Sequence, residues 1–515
     1  MTFPLLTVLA LAPLVGALVL LLPIKGAAPR WIGLLFSLAT LVLAVVAALR
    51  FDIHNPTMQL TESVGWIPQF GAHYALGLNG IGLTLVLLTA ILVPVVLIAG
   101  WNTGQRSATA TSADTRWSPK AFFGLVLVLE ALSLYVFLAT DVLLFYLFFE
   151  LTLIPMYFLI GGFGKGRRRS YAAIKFLLFS LAGGLVMLAS VIGLYVVSSH
   201  TDTGASYLLS DLMKINIPVV TQRWLFVGFM FAFAVKAPMV PFHTWLPDAA
   251  QESTPGGATL MVGILDKIGT FGMIRFCLGL FPEASTWATP VIIALALVSI
   301  LYGALAAIGQ KDLMRLISFT SISHFGFIVL GIFAFTSQSM TGSTLYMLNH
   351  GFSTAALFLA VGFMISRRGS ANITDFGGVQ KVAPVLAGVT LVAGLSSLSL
   401  PGLSSFVSEF MVLAGTFTRY PVYAVVATLA IVLAALYILI MYQRTMTGPV
   451  TAQVTAIPDL NGRERLALAP LLVLIVVLGF FPRPALAIIE PAIAATMQHV
   501  GVVDPGAIVG QAGTS

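Results

Sequence analysis

Runs of about twenty apolar residues recur along this 515-residue chain, and a helix of that length crosses a lipid bilayer. Hydrophobic residues make up 58% of the sequence and charged residues only 9%, whereas soluble domains carry about a quarter charged residues. A soluble core cannot bury that much apolar surface, so the sequence predicts an all-α, polytopic membrane protein with about fourteen transmembrane helices. The predicted spans are 3–23, 29–49, 78–99, 119–138, 140–163, 170–197, 224–247, 257–280, 288–308, 312–335, 345–367, 384–418, 421–443 and 464–482.

Basic residues are divided unevenly between the loops on the two sides of such a bundle. One set of loops holds seventeen lysine and arginine residues and the other set holds five. The more basic loops are predicted to be cytoplasmic, so both termini face outward. The first apolar run lacks the basic start and the small-residue cleavage site of a signal peptide, which predicts a span. The residues after 482 are predicted to form a short tail.

Several ionisable residues fall inside the predicted spans, where each costs at least a few kcal/mol if it faces lipid. Lys175 and Arg275 lie near helix ends and can extend to the interface. A single buried polar residue is often a structural contact between helices, but recurrence at matching depth in separate helices favours a proton relay. The candidates are Glu130, Glu150, Lys236, Lys267 and His324 at mid-depth, and Glu409 in the outward half of its span.

Two of the spans contain helix-breaking residues. Pro238 and Pro241 interrupt span seven, and Pro401 with Gly402 interrupts span twelve. Breaks at corresponding positions in two halves are typical of inverted repeats with a pathway between them. The chain is therefore predicted to divide into four parts. They are residues 1–110 with helices 1–3, 111–280 with the first five-helix repeat, 281–445 with the second, inverted repeat, and 446–515 with helix 14 and an outward-facing tail.

No cofactor or metal is expected within this chain. Cys277 is the only cysteine, which excludes a disulfide framework and an iron–sulfur cluster ligated by this chain alone. His243 follows the first break and His350 is predicted to begin span eleven, so the two lie at different depths and do not form a haem-ligand pair. Asp266 points about 100° away from Lys267 around the helix and is predicted to be a partner for another group.

Four stretches of the sequence are similar to a known family. They are VKAPMVPFHTWLPDAAQESTPGGATLMVGILDKIGTFGMIR (235–275), FYLFFELTLIPMYFLIGGFG (145–164), QKDLMRLISFTSISHFGFI (310–328) and LPGLSSFVSEF (400–410). These stretches resemble the proton-conducting, antiporter-like subunits of complex I, the respiratory NADH:quinone oxidoreductase. The family also includes the large subunits of Mrp-type cation/proton antiporters.

The resemblance implies roles for individual residues. Glu150 matches an acidic residue that pairs with a lysine of the first broken helix, here Lys236, and Lys267 matches a central lysine. His324 matches a relay position, and Glu409 matches the terminal residue, which is glutamate in M-type members and lysine in L- and N-type members. The implied supporting residues are Glu130, His243, His350 and Asp266.

The resemblance also implies the setting in which such a chain works. It would be a proton-translocating subunit of NADH:quinone oxidoreductase in the bacterial inner (plasma) membrane, with both termini periplasmic. L- and N-type subunits would be its neighbours in a hetero-oligomer, and no nucleic acid is expected to bind. FMN, iron–sulfur clusters, NADH and quinone would belong to partner subunits.

Two other classes of function remain open from the sequence. The chain could be a subunit of an Mrp-type Na⁺/H⁺ antiporter or of a membrane-bound hydrogenase, since both share the implied fold. A carrier for a small organic solute would also tolerate two broken helices. A solute site needs varied donors and acceptors around one cavity, however, and this sequence offers a row of titratable groups instead.

Overall fold

All fourteen apolar segments predicted to span the membrane coincide with helical structure. The computed structural model describes residues 4–105, 117–201 and 204–506. Within these ranges, ten helices are long and apolar enough to cross a membrane, or eleven if one bent pair counts as a single span. The other predicted spans are a short first helix, a span interrupted by π-helical segments and a broken span. The predicted helical membrane fold is confirmed.

The N-terminal part combines three helices with a β-hairpin that the sequence analysis did not predict. Its elements are α1 (Leu5–Val19), α2 (Ala28–Arg50), β1 (Gln59–Ile67), β2 (Ala72–Leu78) and α3 (Gly80–Ala99). The two strands pair antiparallel. The Glu62 carboxylate in β1 accepts hydrogen bonds from the backbone N–H groups of Leu6 (2.7 Å) and Thr7 (3.1 Å). The hairpin thereby satisfies donors at the first turn of α1, which no earlier turn can pair.

Of the first five predicted spans of the repeat region, two are single helices and three are divided into shorter segments. The helices are α4 (Pro119–Leu138), α5 (Val142–Leu151), α6 (Leu153–Phe163), α7 (Arg169–Ser199), α8 (Leu209–Leu212), α9 (Val219–Lys236), α10 (Trp245–Glu252), α11 (Pro255–Leu260) and α12 (Asp266–Gly272), and the single ones are α4 and α7. Residues Met261–Leu265 and Met273–Leu278 are π-helical. Pro238 and Pro241 lie between α9 and α10, so the predicted break is confirmed. The Val240 N–H, released from helical pairing, donates to Ser299 Oγ at 2.9 Å.

The second set of five spans has a matching break. Its elements are α13 (Pro282–Ile308), α14 (Leu313–Phe333), α15 (Ser337–Arg368), α16 (Val379–Val382), α17 (Pro384–Ser397), α18 (Ser404–Arg419) and α19 (Pro421–Met446). Pro401 and Gly402 lie between α17 and α18, as predicted. Gly402 has a φ of +91°, and Ser399 has a φ of +59°. Only glycine adopts the first conformation without steric cost, which fixes its place in the turn.

The two sets of spans begin their second helix in the same way. Asp141 caps α5 by accepting from Leu144 N–H at 2.9 Å, and Asp312 caps α14 by accepting from Arg315 N–H at 3.0 Å. The backbone beside each aspartate also pairs with a segment that follows the next long helix. Residues 140–142 pair with 207–209, and residues 311–313 pair with 371–373. Five spans separate the two aspartates, so they lie at opposite ends of the bundle, as an inverted repeat requires.

The C-terminal part corrects one prediction. Residues after 482 were predicted to be a tail, but α20 (Gly462–Phe480) is followed by a further helix, α21 (Arg483–Val500), bent by 71° from it. Apolar residues of α21 recur at helical spacing and are buried, namely Ile489, Ala492, Ile493 and Met497. This amphipathic stripe packs against α3 and α15. The prediction failed because polar and charged residues interrupt the apolar residues of this amphipathic helix, so it has no continuous apolar run.

Candidate functional site

Lys236 is the last residue of α9 and lies at the first helix break. Its side chain is 1% exposed, and its Nζ atom lies 3.4 Å from Thr152 Oγ1 and 4.9 Å from the centre of the Phe149 ring. Burial of a lysine in such surroundings is costly unless charge partners or hydrogen bonds compensate. The structure places Lys236 against the turn that carries Glu150, and the predicted pairing of the two groups stays a prediction.

Glu150 is positioned by the kink between α5 and α6. Thr152 lies at that kink and contacts Lys236, so both residues of the predicted pair meet around one irregular turn. Opposite them, α7 carries Gly184, where any side chain would collide with the Glu150 carboxylate. A glycine at this position therefore leaves the space that the carboxylate occupies. Glu150 Oε1 is buried and has no hydrogen-bond partner among the described residues.

Lys267 joins the first set of spans to the second. It lies in α12 and is fully buried, and its Nζ atom is 2.6 Å from Val262 O and 2.8 Å from His350 Nδ1. The Val262 carbonyl belongs to a π-helical turn, and such turns are frequent at functional sites. His350 was predicted to begin span eleven, which is wrong. α15 starts at Ser337, so His350 lies in the middle of this helix and at the depth of Lys267.

From His350 the row continues through aromatic side chains to Glu409. The ring centres of His350 and His324 are 5.2 Å apart, and those of His324 and Tyr346 are 5.8 Å apart. Tyr346 then donates its hydroxyl hydrogen to Glu409 Oε2 at 2.8 Å. Ser399, in the second break, also donates to this carboxylate oxygen. The structure therefore connects Lys267, His324 and Glu409 in one buried row, whereas Lys236 and the partly exposed Glu150 lie at the first break.

Polar side chains on α15 extend the row and were not predicted. Tyr346 connects His324 to Glu409, Asn349 Nδ2 donates to Ser404 O at 2.7 Å, and Ser353 Oγ lies 2.6 Å from Ser396 Oγ. All three occupy the face of α15 that meets the second break. The sequence contained a signal for them, because Tyr346, Asn349, His350 and Ser353 recur at helical spacing within an apolar segment.

An ion-pair cluster lies where α7, α10 and α14 meet. The Asp248 carboxylate accepts from Lys175 Nζ at 2.7 Å and from Arg315 Nη1 at 2.5 Å. Burial alone would raise the pKa of Asp248, but the hydrogen bonds and charges of Lys175 and Arg315 outweigh it and hold the pKa below its ordinary value. Lys175 thus has a specific partner. His243 lies beside this cluster, with its ring 4.9 Å from that of Tyr302, and outside the row.

Three other predicted residues have distinct surroundings. Glu130 is buried in α4, and neither carboxylate oxygen has a hydrogen-bond partner among the described residues. Arg275 does not extend to the interface, because its guanidinium donates to Ala139 O (3.1 Å) and Asn79 Oδ1 (3.0 Å) in the interior. It therefore ties the start of α3 to the end of α4. Asp266 is fully buried beside Lys267.

Known proteins match this chain along most of its length. The family described as "NADH:quinone oxidoreductase/Mrp antiporter, TM" matches residues 139–434. NADH-quinone oxidoreductase subunit M of Mycobacterium tuberculosis is 50% identical, over 98% of this chain and 95% of the relative. F(420)H(2) dehydrogenase subunit M of Methanosarcina mazei is 35% identical, over 94% of this chain and 96% of the relative.

A solved structure shares the fold. A chain of respiratory complex I from Thermus thermophilus with bound NADH superposes with a TM-score of 0.87 at 31% sequence identity. The match covers 96% of this chain and all of the other. The match to the complex I chain therefore includes the part of this chain that contains the two breaks and the buried row.

Proposed function

Because this chain belongs to the NADH:quinone oxidoreductase/Mrp antiporter transmembrane family, we propose that it is the M-type, proton-translocating subunit of a respiratory NADH:quinone oxidoreductase. The observation that carries the proposal is the buried row from Lys267 to Glu409, which the 2.8 Å contact between Lys267 and His350 extends across the two sets of spans, with Glu150 and Lys236 at the first break. Ionisable groups at this depth persist where they pair or line a path for ions. The redox chemistry belongs to other subunits.

Proton transfer begins at the Glu150–Lys236 association. The Glu150 carboxylate favours the ammonium form of Lys236 through attraction between opposite charges. When a conformational change moves or neutralises Glu150, the ammonium loses that support and an N–H bond of Lys236 breaks. The proton passes towards Lys267, and Glu150 acts as the switch that controls its release.

The second half of the path carries the proton to the opposite side. The Lys267 ammonium donates towards His350 Nδ1, and His324 and Tyr346 lead from there to the Glu409 carboxylate. Water molecules would bridge the ring-to-ring separations, since imidazole and phenol groups both donate and accept hydrogen bonds. Release from Glu409 completes transfer to the outer, periplasmic side.

The proposal includes partners and a location. L- and N-type membrane subunits would flank this chain in the bacterial plasma membrane, and other subunits would hold FMN, iron–sulfur clusters and the binding sites for NADH and quinone. The excess of basic residues in one set of loops supports a periplasmic location for both termini. A conformational or electrostatic signal from quinone reduction would then move Glu150.

The test is replacement of Lys236 by alanine in the native membrane. NADH-driven proton uptake and quinone reduction are measured together, after assembly of the complex has been confirmed on a native gel. We expect proton uptake and coupled quinone reduction to fall at least about tenfold, because acid–base groups in proton transfer contribute about 100-fold or more. Lys214→Ala, at a lysine with 79% side-chain exposure, is the matched control. Unchanged pumping in an assembled Lys236→Ala complex would make Lys236 a structural residue.

There is a second candidate for the electron donor of the complex. F(420)H(2) dehydrogenase subunit M covers the same extent of this chain at 35% identity, so related subunits work with different donors. Deletion of the whole gene separates the candidates. Loss of NADH oxidation by membranes from the deletion strain supports the NADH-linked complex, whereas normal NADH oxidation favours another donor or an Mrp-type antiporter.

A further inference from the structure

Asp266 is a buried acid that the path described above does not use. It begins α12, directly before Lys267, and its side chain is fully buried. Both carboxylate oxygens are shielded from solvent and have no hydrogen-bond partner among the described residues. A buried carboxyl group without donors is destabilising in either protonation state, because unmade hydrogen bonds cost about 1–3 kcal/mol each. We therefore examine Asp266 as a residue with a functional role.

The packing of α12 defines which way Asp266 faces. Gly269 lies three residues later on the same side of the helix, and a Cβ atom there would lie 2.7 Å from both Ala237 N and Phe233 O. The side of α12 that carries Asp266 therefore rests directly against the break that follows Lys236. Lys267 is rotated by about 100° and contacts His350 on α15 instead.

The charges around Asp266 agree with this placement. Lys267 is its neighbour in the chain, and Lys236 is the last residue of the helix whose final turn this side of α12 contacts. Among the described residues, Lys236 has one hydrogen-bond contact, the 3.4 Å approach to Thr152, which leaves two of its three N–H donors for other acceptors. Asp266 is thus a buried acid close to the two lysines whose proton exchange the path requires.

We propose that Asp266 carries the proton from Lys236 to Lys267. An N–H bond of the Lys236 ammonium breaks as an O–H bond forms on the Asp266 carboxylate, directly or through one water molecule. That O–H bond then breaks as an N–H bond forms on the neutral amine of Lys267. The proton is conserved and no other reactant is needed. This inference rests on the proposed function, because it adds a carrier to the same path.

The test compares Asp266→Asn and Asp266→Glu in the assembled complex. Asparagine keeps the shape of the side chain but cannot take up and release a proton, whereas glutamate can. We expect Asp266→Asn to lower NADH-driven proton uptake at least about tenfold and Asp266→Glu to restore a substantial part of it. Asp211→Asn is the matched control, because it makes the same change at an aspartate of α8 whose side chain is 43% exposed.

The outcomes separate this inference from the proposed function. Normal proton uptake in Asp266→Asn with impaired uptake in Lys236→Ala overturns the role of Asp266 and leaves the proposed function standing. Normal uptake in both variants overturns both. Failure of Asp266→Glu to restore uptake that Asp266→Asn has lost makes Asp266 a fixed element of structure and overturns its role as a carrier.

A second measurement does not depend on the variants being active. Infrared difference spectra during turnover report the C=O stretch of a carboxyl group that gains or loses a proton. A signal that is present in the wild type and in Asp211→Asn but absent in Asp266→Asn supports the proposal. An identical signal in Asp266→Asn shows that another carboxyl group is titrating and overturns it.

Discussion

The two sets of five spans break a helix at matching places but surround the breaks with different chemistry. Around the first break, the acids Glu150 and Asp266 lie on segments that pack against Lys236 or its helix, and Lys267 follows Asp266 in the chain. Around the second break, Glu409 receives its hydrogen bonds from two hydroxyl groups, those of Tyr346 and Ser399. No salt bridge to Glu409 occurs within the described part of the chain.

The difference shows that the repeat determines where a polar site can form and the side chains determine what it does. Backbone breaks are tolerated in a membrane where they line a protein interior, and both repeats supply one. In the first half, opposite charges balance each other. In the second half, neutral donors stabilise a single acid. The contact of Lys267 with His350 connects the two kinds of site.

The largest expected effect comes from Lys236→Arg, which keeps the positive charge of the first site. The guanidinium does not release a proton in proteins, so it can balance Glu150 but cannot pass a proton on. We expect NADH-driven proton uptake to fall at least about tenfold while assembly is retained. Proton uptake in inverted vesicles measures this.

The corresponding conservative change in the second site is Glu409→Asp, which keeps a titratable carboxyl and serves as the comparison. We expect more than about half of the proton uptake to remain. If Lys236→Arg pumped as well as Glu409→Asp, fixed charge alone would suffice in the first half, and the contrast between the halves would disappear.

A smaller effect is expected from Tyr346→Phe, which removes one of the two hydroxyl donors to Glu409. A buried hydrogen bond contributes about 1 kcal/mol, which corresponds to about a fivefold change in a rate or equilibrium constant. We expect proton uptake to fall about two- to fivefold, with the Ser399 contact preserving the remainder. An effect as large as that of Lys236→Arg would show that the second site depends on a single donor, contrary to the shared arrangement observed.

The smallest effect is expected from Asp248→Asn, at the ion-pair cluster outside both sites. Lys175, Arg315 and Asp248 are 20–30% exposed, and ion pairs of this kind contribute up to about 1 kcal/mol. Because the pKa of Asp248 is held below its ordinary value, its stabilising contribution is fully present above pH about 4 and is lost as pH falls through the lowered pKa.

The measurement is thermal unfolding of the purified protein in detergent from neutral to acidic pH. The wild type should exceed Asp248→Asn in stability at neutral pH, and the difference should shrink below pH about 4. A difference that is constant with pH would show that Asp248 acts through packing and not through its charge. Glu283→Gln, at an exposed acid in the first turn of α13, controls for general acid effects.

The sequence by itself determined the class of fold, the two breaks and the core of the row. Long apolar runs leave no stable state but membrane-spanning helices, and prolines remove the donors that a helix needs. The depth of Glu150, Lys236, Lys267, His324 and Glu409 followed from counting residues along their helices. The hairpin and α21 were not predicted, because neither contains an apolar run that is long enough to span a membrane.

Only the tertiary structure decided which buried groups meet. Counting along one helix gives depth but not the rotation of that helix against its neighbours, and rotation decides whether Lys267 faces His350 or Asp266 faces the first break. It also decided that Tyr346 bridges His324 and Glu409, and that Lys175 pairs with Asp248. The contacts of Tyr346 with Glu409, Lys175 with Asp248, and Lys267 with His350 join residues 63, 73 and 83 positions apart. They depend on packing between helices, which no local pattern along one helix specifies.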